Sequence, residues 1–427
     1  MMRFKPLPSL ALILLSCLLL RVGYQLAYIH LLRFTAYFSD PFYEPAVDSY
    51  DDIAHNLLNG KGYALPFNDR LARRRRIAWP EQPTAARMPV YPLTLYCIYE
   101  LSGGRRLPAL FMQAVFDTVT CLLIYLLAGQ LFNNRLISLL SAGMWALCLP
   151  EILTTRKLFS EPLFNVLLVG TVLLSVKAFK SENRRYFAAA GAGFGAAALC
   201  RPITLFFPPL WSVVYLVQQR SSTALKKICL LWLGFSLTLL PWVIRNYRQF
   251  QVFLPGSTHF GYNFYAGNAA LEEKDSFKYL SISQINEKVK QGVPDALSDP
   301  RKRNEVALNE FLIKKTFKLI RKAPLKYLST CLNRFSVLWF NQGRGRKIEI
   351  KFVLFGFFSL FFMLTAAAGF IKAEAGRETL LLIGALVGFL VLIPTLVLAS
   401  WRFSLPVFPY MFIFSSAYLV KKYAKTG

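Results

Sequence analysis

The stretch Asp48-Ser49-Tyr50-Asp51-Asp52-Ile53-Ala54-His55-Asn56-Leu57-Leu58-Asn59-Gly60 brings three carboxylates to the start of an amphipathic segment. Ile53, Ala54, Leu57 and Leu58 fall on one helical face, Ser49 with Asp52 suits a capping box, and Gly60 suits the position just past a helix end. Asp48 then stands at a helix N-terminus, where unpaired backbone N–H groups favour the ionised carboxylate, and an ionised carboxylate can accept a proton. The plainer reading of Asp48, Asp51 and Asp52 is ordinary first-turn acids on a solvated helix. A second set is basic. Arg201, Arg245 and Arg402 each border an apolar stretch, where a guanidinium can grip a phosphate through two parallel hydrogen bonds or snorkel to lipid headgroups. Snorkelling suits Arg245 best, and a shared site suits Arg201 and Arg402. Lys157 and Glu161 are spaced to pair, although Glu161 also suits the first turn of a helix capped by Ser160. His259 is the only histidine between 245 and 350, and a lone histidine is more often structural than a metal ligand.

The elements that position these residues follow from composition. The chain has 427 residues, a net charge of +27, 55% hydrophobic residues and a mean hydropathy of +0.40. A membrane-crossing helix needs about twenty apolar residues, and such stretches recur here at 9–31, 108–130, 134–150, 160–178, 186–203, 204–219, 228–244, 351–372, 378–399 and 404–421. The expected fold is an all-helical integral membrane protein with about ten transmembrane helices, residues 1–427 forming a single membrane domain. The same numbers exclude disorder and a disulfide scaffold, and the basic residues lie between apolar segments, where anionic headgroups are nearer partners than nucleic acid. The seven cysteines read as small buried apolar residues. With the N-terminus inside, Arg135, Lys180 with Arg184-Arg185, Lys226-Lys227, Lys372 with Arg377, and Lys421-Lys422 all fall on inner connections, satisfying the positive-inside rule. Two long loops, 33–107 and 245–350, are then external. The first carries the acids, the arginine run Arg73–Arg76, and an interfacial or re-entrant helix over Met88–Leu101. In the second, Gln284–Lys290 and Asn304–Arg321 are helix-forming stretches that build a small cap.

Tyr50-x-x-Ile53-Ala54-x-Asn56-Leu57-Leu58-x-Gly60-x-Gly62, followed by Thr84-Ala85-Ala86-Arg87-Met88-Pro89-Val90-Tyr91-Pro92, resembles the external loop of polyprenyl-phosphate-dependent membrane glycosyltransferases of the GT-C superfamily. The protein O-mannosyltransferase and lipid A aminoarabinose transferase branch is the nearest in pattern. Ser160-Glu161-Pro162-Leu163-Phe164, Leu199-Cys200-Arg201-Pro202, Pro241-Trp242-Val243-Ile244-Arg245-Asn246-Tyr247, Gly267-Asn268 and Trp401-Arg402-Phe403-Ser404-Leu405-Pro406 extend the resemblance to about residue 410.

The resemblance implies a sugar transferred, with inversion, from a polyprenyl-phosphate carrier to a hydroxyl or amine of an acceptor glycan, lipid or protein, at the external face of the plasma (inner) membrane. It implies Asp48 as catalytic base, and Arg87 as a phosphate ligand beside Arg201 and Arg402. The family's acid stands four residues before the matching Tyr, a position that is Ala46 here. Asp48 therefore needs a local gap, and Glu44 and Asp51 stand as alternates. Where some members carry a metal-binding Glu, this chain has Ala86, so a divalent metal is not supported and the cofactor is left unassigned. Two rivals are a polytopic transporter or lipid flippase, and an inactive relative acting as a scaffold. A transporter would carry ionisable residues near the bilayer midplane, whereas here the charged candidates cluster at span ends and in loops.

Overall fold

The computed structural model describes residues 8–34, 49–66, 81–181, 183–219, 222–273, 280, 282–292, 294, 304–340 and 350–423. Glu44, Asp48 and Arg73–Arg76 lie outside them.

The described chain is almost wholly helical. Its single small sheet pairs β1 (Ala64–Pro66) antiparallel with β2 (Glu81–Pro83), Leu65 opposite Gln82. The helices of the bundle are α1 (Pro8–Phe34), α4 (Leu107–Phe132), α5 (Arg135–Ala146), α6 (Leu149–Thr154), α7 (Glu161–Lys180), α8 (Arg185–Cys200), α9 (Phe207–Gln218), α10 (Ser222–Phe250), α15 (Ile350–Ile371), α16 (Arg377–Leu396) and α17 (Phe408–Tyr423). Three-residue-per-turn segments lead into α9 (Pro202–Phe206) and α17 (Trp401–Val407).

Contacts at the two ends show the chain running back and forth. At one end Arg135 donates to Ser9 (3.2 Å), Gln219 to Glu378 (2.9 Å), and Lys421 to the Lys372 carbonyl (3.0 Å). At the other, Gln25 donates to the carbonyls of Leu110 and Thr155, both at 2.9 Å, and Arg201 and Arg402 meet Glu161. Among the described residues seven segments are long and apolar enough to cross a membrane: Pro8–His30, Leu107–Phe132, Glu161–Lys180, Thr223–Phe250, Phe352–Ile371, Arg377–Leu396 and Trp401–Tyr423. The other three expected spans are shorter helices. At about 1.5 Å per residue, the 12 residues of α5 cover only about 18 Å and the 16 of α8 about 24 Å. Helix α5 gains its reach by continuing, after a break at Leu147-Cys148, into α6, whose Pro150 suits a first turn that needs no N–H donor. Helix α8 instead compensates by close packing. A Cβ on Gly191 would collide with the Leu231 carbonyl of α10, and one on Gly234 with the Ala188 carbonyl, so the two backbones meet along a seam of small residues.

The break in α5 corrects one expectation. Ionisable residues are not confined to helix ends and loops: Arg21, Asp117 and Glu151 are fully buried in the bundle. Arg21 pairs with Asp117 through Nε, and its Nη groups donate to the carbonyls of Cys17 (3.2 Å), Ala146 (3.0 Å) and Trp145 (3.1 Å). The Ala146 carbonyl stands where α5 stops, and the Trp145 carbonyl takes the Cys148 N–H at 3.0 Å, so in an apolar medium both have room for a further donor. The guanidinium supplies it, and Asp117 neutralises the guanidinium.

Over the site end lie the loop helices α2 (Tyr50–Leu58), α3 (Val90–Ser102), α11 (Phe260–Asn268), α12 (Ile282–Gly292), α13 (Glu305–Lys322) and α14 (Pro324–Phe340). Helix α3 falls on the stretch Met88–Leu101, and α12 and α13 fall on the helix-forming stretches of the second loop. Asn304 caps α13 by accepting the Ala307 N–H at 2.9 Å. Gly60 is left-handed just past α2, as its spacing requires, but the expected capping box does not form. Ser49 has φ 57° and makes no side-chain cap bond, since a left-handed backbone turns the hydroxyl away from the helix end. Among the described residues the cysteines are all unbridged, Cys97 and Cys229 being exposed and the rest buried.

Candidate active site

The first turn of α7 places Glu161 at the site end, 1% exposed. Arg201, in the extended link after α8, reaches its Oε1 at 2.8 Å, and Arg402, opening the turn before α17, reaches the same oxygen at 3.4 Å. Three segments far apart in sequence therefore converge on one carboxylate oxygen. The expected partner Lys157 lies over the Phe159 ring at 6.0 Å, and Glu161 is held by the two arginines. Aromatic rings back both guanidiniums: Arg402 stacks over Phe159 at 4.1 Å, and Arg201 lies 5.4 Å from Phe403 and 5.6 Å from Phe164. A guanidinium carries five N–H donors in a planar fork, and the shared contact with Glu161 orients both arginines.

Next to Glu161, Ser160 does not cap its helix. Its hydroxyl meets the Tyr50 hydroxyl at 3.3 Å instead. The Tyr50 ring packs edge-on against Tyr91 and lies under the Arg87 guanidinium at 5.7 Å. Arg87, Arg201 and Arg402 are thus brought to one region through Tyr50, Ser160 and Glu161.

The turn bearing Arg87 is held by its neighbours. Tyr63 donates its hydroxyl to the Arg87 carbonyl at 2.9 Å, and Ser257 donates to the Ala86 carbonyl at 2.7 Å. Arg245 donates to the carbonyls of Thr84 (2.8 Å) and Tyr63 (3.0 Å), and lies over the rings of Tyr63 and Trp242. The headgroup-snorkelling expectation for Arg245 is therefore replaced: its donors tie α10 to the first loop. His259 stacks on Tyr262 at 5.0 Å.

Asp51 departs from the first-turn acid expected of its spacing. It is buried, and its carboxylate accepts from the Tyr99 hydroxyl at 2.6 Å and from Arg106 Nε at 3.0 Å, with Arg106 Nη2 at 2.8 Å and His55 Nδ1 at 3.3 Å. Burial by itself would raise this carboxyl, but hydrogen bonds from His55, Arg106 and Tyr99 outweigh it and hold the pKa at about 2. The hydrogen bond to Asp51 in turn raises His55 above its ordinary value. The i, i+4 spacing of Asp51 and His55 is visible in sequence. Tyr99 and Arg106 have no such signal, because the fold supplies their proximity. Among the described residues no group of three or more His, Cys, Asp or Glu side chains is arranged to hold a metal ion.

Residues 82–244 match the family model of dolichyl-phosphate-mannose-protein mannosyltransferase, a stretch that contains Arg87, Lys157, Glu161 and Arg201. The fold is similar to that of the archaeal oligosaccharyltransferase AglB from Archaeoglobus fulgidus, solved with an inhibitory peptide and a dolichol-phosphate. The TM-score is 0.56 at 12% identity, over 98% of this chain and 50% of that one. A second structure of the A. fulgidus enzyme, tethered with an acceptor peptide, gives 0.55 at 13% identity over 98% and 49% of the two chains. ArnT from Cupriavidus metallidurans, bound to undecaprenyl phosphate, gives 0.37 at 10% identity over 88% and 73%. The chain spans about half the length of the oligosaccharyltransferases it matches. No curated protein matches its sequence.

Proposed function

We propose that this protein is a membrane glycosyltransferase of the GT-C superfamily that moves a sugar from a polyprenyl-phosphate carrier to an acceptor hydroxyl or amine, with inversion at the anomeric carbon. The observation that carries the reading is the convergence of Arg201 and Arg402 on Glu161, beside Tyr50 and Arg87, at one end of an apolar bundle. A lipid phosphate is anchored at that depth by its own tail, and partly dehydrated guanidiniums bind it more strongly than solvated ones do. In the proposed reaction Asp48 takes the acceptor's proton as the acceptor oxygen or nitrogen attacks the anomeric carbon. The bond from that carbon to the phosphate oxygen breaks, and Arg87, Arg201 and Arg402 stabilise the charge left on the phosphate. Glu44 and Asp51 remain the alternative acids. Asp48 is preferred to Asp51 because the Asp51 carboxylate already accepts from Tyr99 and Arg106.

We place the site on the external face of the plasma (inner) membrane, where the bias of Lys and Arg toward the other end of the bundle puts it. Cysteines substituted at the exposed Lys61 and Lys290 then label from outside intact cells, and one at Asn133 labels only after permeabilisation. Mass spectrometry of glycolipids and glycoconjugates from cells with and without the gene tests the activity. One sugar-bearing species lost with the gene and restored by the wild-type chain but not by Asp48→Asn supports it, and an unchanged glycan inventory argues against it.

The transporter reading draws on the buried Arg21, Asp117 and Glu151. It is the weaker reading, because Arg21 is spent on the carbonyls of a helix break.

A further inference from the structure

The cap and the Arg87 turn meet at one buried carboxylate. Glu305 opens α13 and is 7% exposed, and Thr84 and Ala85 are fully buried against it. The Thr84 hydroxyl donates to Glu305 Oε2 at 2.9 Å, and the Ala85 N–H donates to Oε1 at 2.5 Å. The same Thr84 oxygen accepts the Ala86 N–H at 3.0 Å. A second strand of the cap runs alongside: the Thr258 N–H donates to the Ala85 carbonyl at 3.0 Å, and Ser257 to that of Ala86. Every residue from Thr84 to Ala86 is thereby fixed by the second loop, and Arg87 follows directly.

We propose that Glu305 is a positioning residue that couples the cap to lipid-phosphate binding: it locks the Thr84–Ala86 turn and so holds Arg87 over Tyr50 at the donor site. Both bonds to Glu305 are to a carboxylate, which makes them stronger than neutral ones, and both are dry. Without the carboxylate, the Ala85 N–H and the Thr84 hydroxyl lose their acceptors in a buried setting, so the turn relaxes and Arg87 loses its fixed direction. The inference rests on the proposed role of Arg87 in binding a polyprenyl phosphate.

The test titrates undecaprenyl phosphate into the full-length, detergent-solubilised protein and its variants Arg87→Ala, Glu305→Ala, Thr84→Val and Glu305→Ala with Thr84→Val, with hydrogen exchange followed at 84–88. Glu305→Ala and Thr84→Val should each weaken binding about tenfold, the double variant should lose less than the two single losses combined, and exchange at 84–88 should rise in all three, because the two groups share one bond and hold one turn. Thr84→Val, nearly isosteric, keeps the test valid if Glu305→Ala folds poorly. If Arg87→Ala weakens binding while Glu305→Ala and Thr84→Val loosen the turn and bind normally, the coupling is overturned and the donor-site assignment of Arg87 stands. If Arg87→Ala binds normally, the donor-site assignment fails and takes the coupling with it.

Discussion

Two arginine–carboxylate clusters in this molecule look alike in sequence and differ in use. In the bundle, Arg21 spreads its donors over Asp117 and three backbone carbonyls, two of them the loose end of α5. At the site end, Arg201 and Arg402 crowd onto one oxygen of Glu161. The first arrangement distributes one cation over many acceptors and completes a backbone that cannot meet water. The second brings two cations to one carboxylate oxygen at one end of the bundle. An arginine's role is thus set by the balance of donors and acceptors around it, and membership of an apolar segment does not reveal that balance. Arg334 belongs with Arg21: it donates to the carbonyls of Thr395 (2.6 Å), Gly267 (2.7 Å) and Leu396 (3.2 Å).

The largest effect that sharpens this contrast falls on the bundle. Arg21→Met strands Asp117 without its cation in an apolar interior, a loss of about 3–5 kcal/mol, and folded protein recovered from membranes should fall sharply. Adding Asp117→Leu should restore part of that yield. If Arg21→Met melts like the wild type, the pair is not what holds the break together.

Asp48→Asn should come next, with turnover falling about a hundredfold or more while the melting temperature stays unchanged, as expected of a general base. Normal turnover in Asp48→Asn with loss in Glu44→Gln moves the role to the other acid.

Arg201→Lys and Arg402→Lys preserve charge and lose the planar fork, so each should weaken undecaprenyl phosphate binding about tenfold and leave the melting temperature alone. Affinity unchanged in both variants would make these arginines headgroup anchors and erase the contrast with Arg21.

The smallest effect is on the latch between α2 and α3. His55 has a raised folded pKa, so its contribution is full below its ordinary 6.5 and fades as pH rises through the folded value. Asp51 is depressed from 3.8 to about 2, so its contribution is present above 3.8 and is lost as pH falls through about 2. The melting-temperature difference between wild type and His55→Gln should therefore shrink as pH rises beyond 6.5 and through the raised folded value. A difference independent of pH contradicts the His55–Asp51 bond.

The membrane class is legible because the apolar runs are long, a one-dimensional signal. Helices α3 and α13 were legible for a related reason, the first from its apolar composition and the second from its apolar spacing. The approach of Arg201 and Arg402 was anticipated from sidedness, but Glu161 as their common partner was not. Its spacing in sequence points to Lys157, and the arginines reach it only through helix packing. Asp51 was misread because first-turn position predicts solvation only when nothing packs on that turn, and here Tyr99 and Arg106 do. Arg21 and Asp117 carry no sequence signal because the break after α5 is invisible to a hydropathy pattern, and Glu305 has no motif at all.

The central claim is that a lipid phosphate binds where Arg201 and Arg402 meet Glu161, and photo-crosslinking tests it directly. A polyprenyl phosphate carrying a photoreactive group beside its phosphate should label peptides containing 157–164, 199–205 and 400–406, and unmodified undecaprenyl phosphate should compete that labelling away. Labelling concentrated around Arg21, Asp117 and Glu151, or none that competes, would contradict the account.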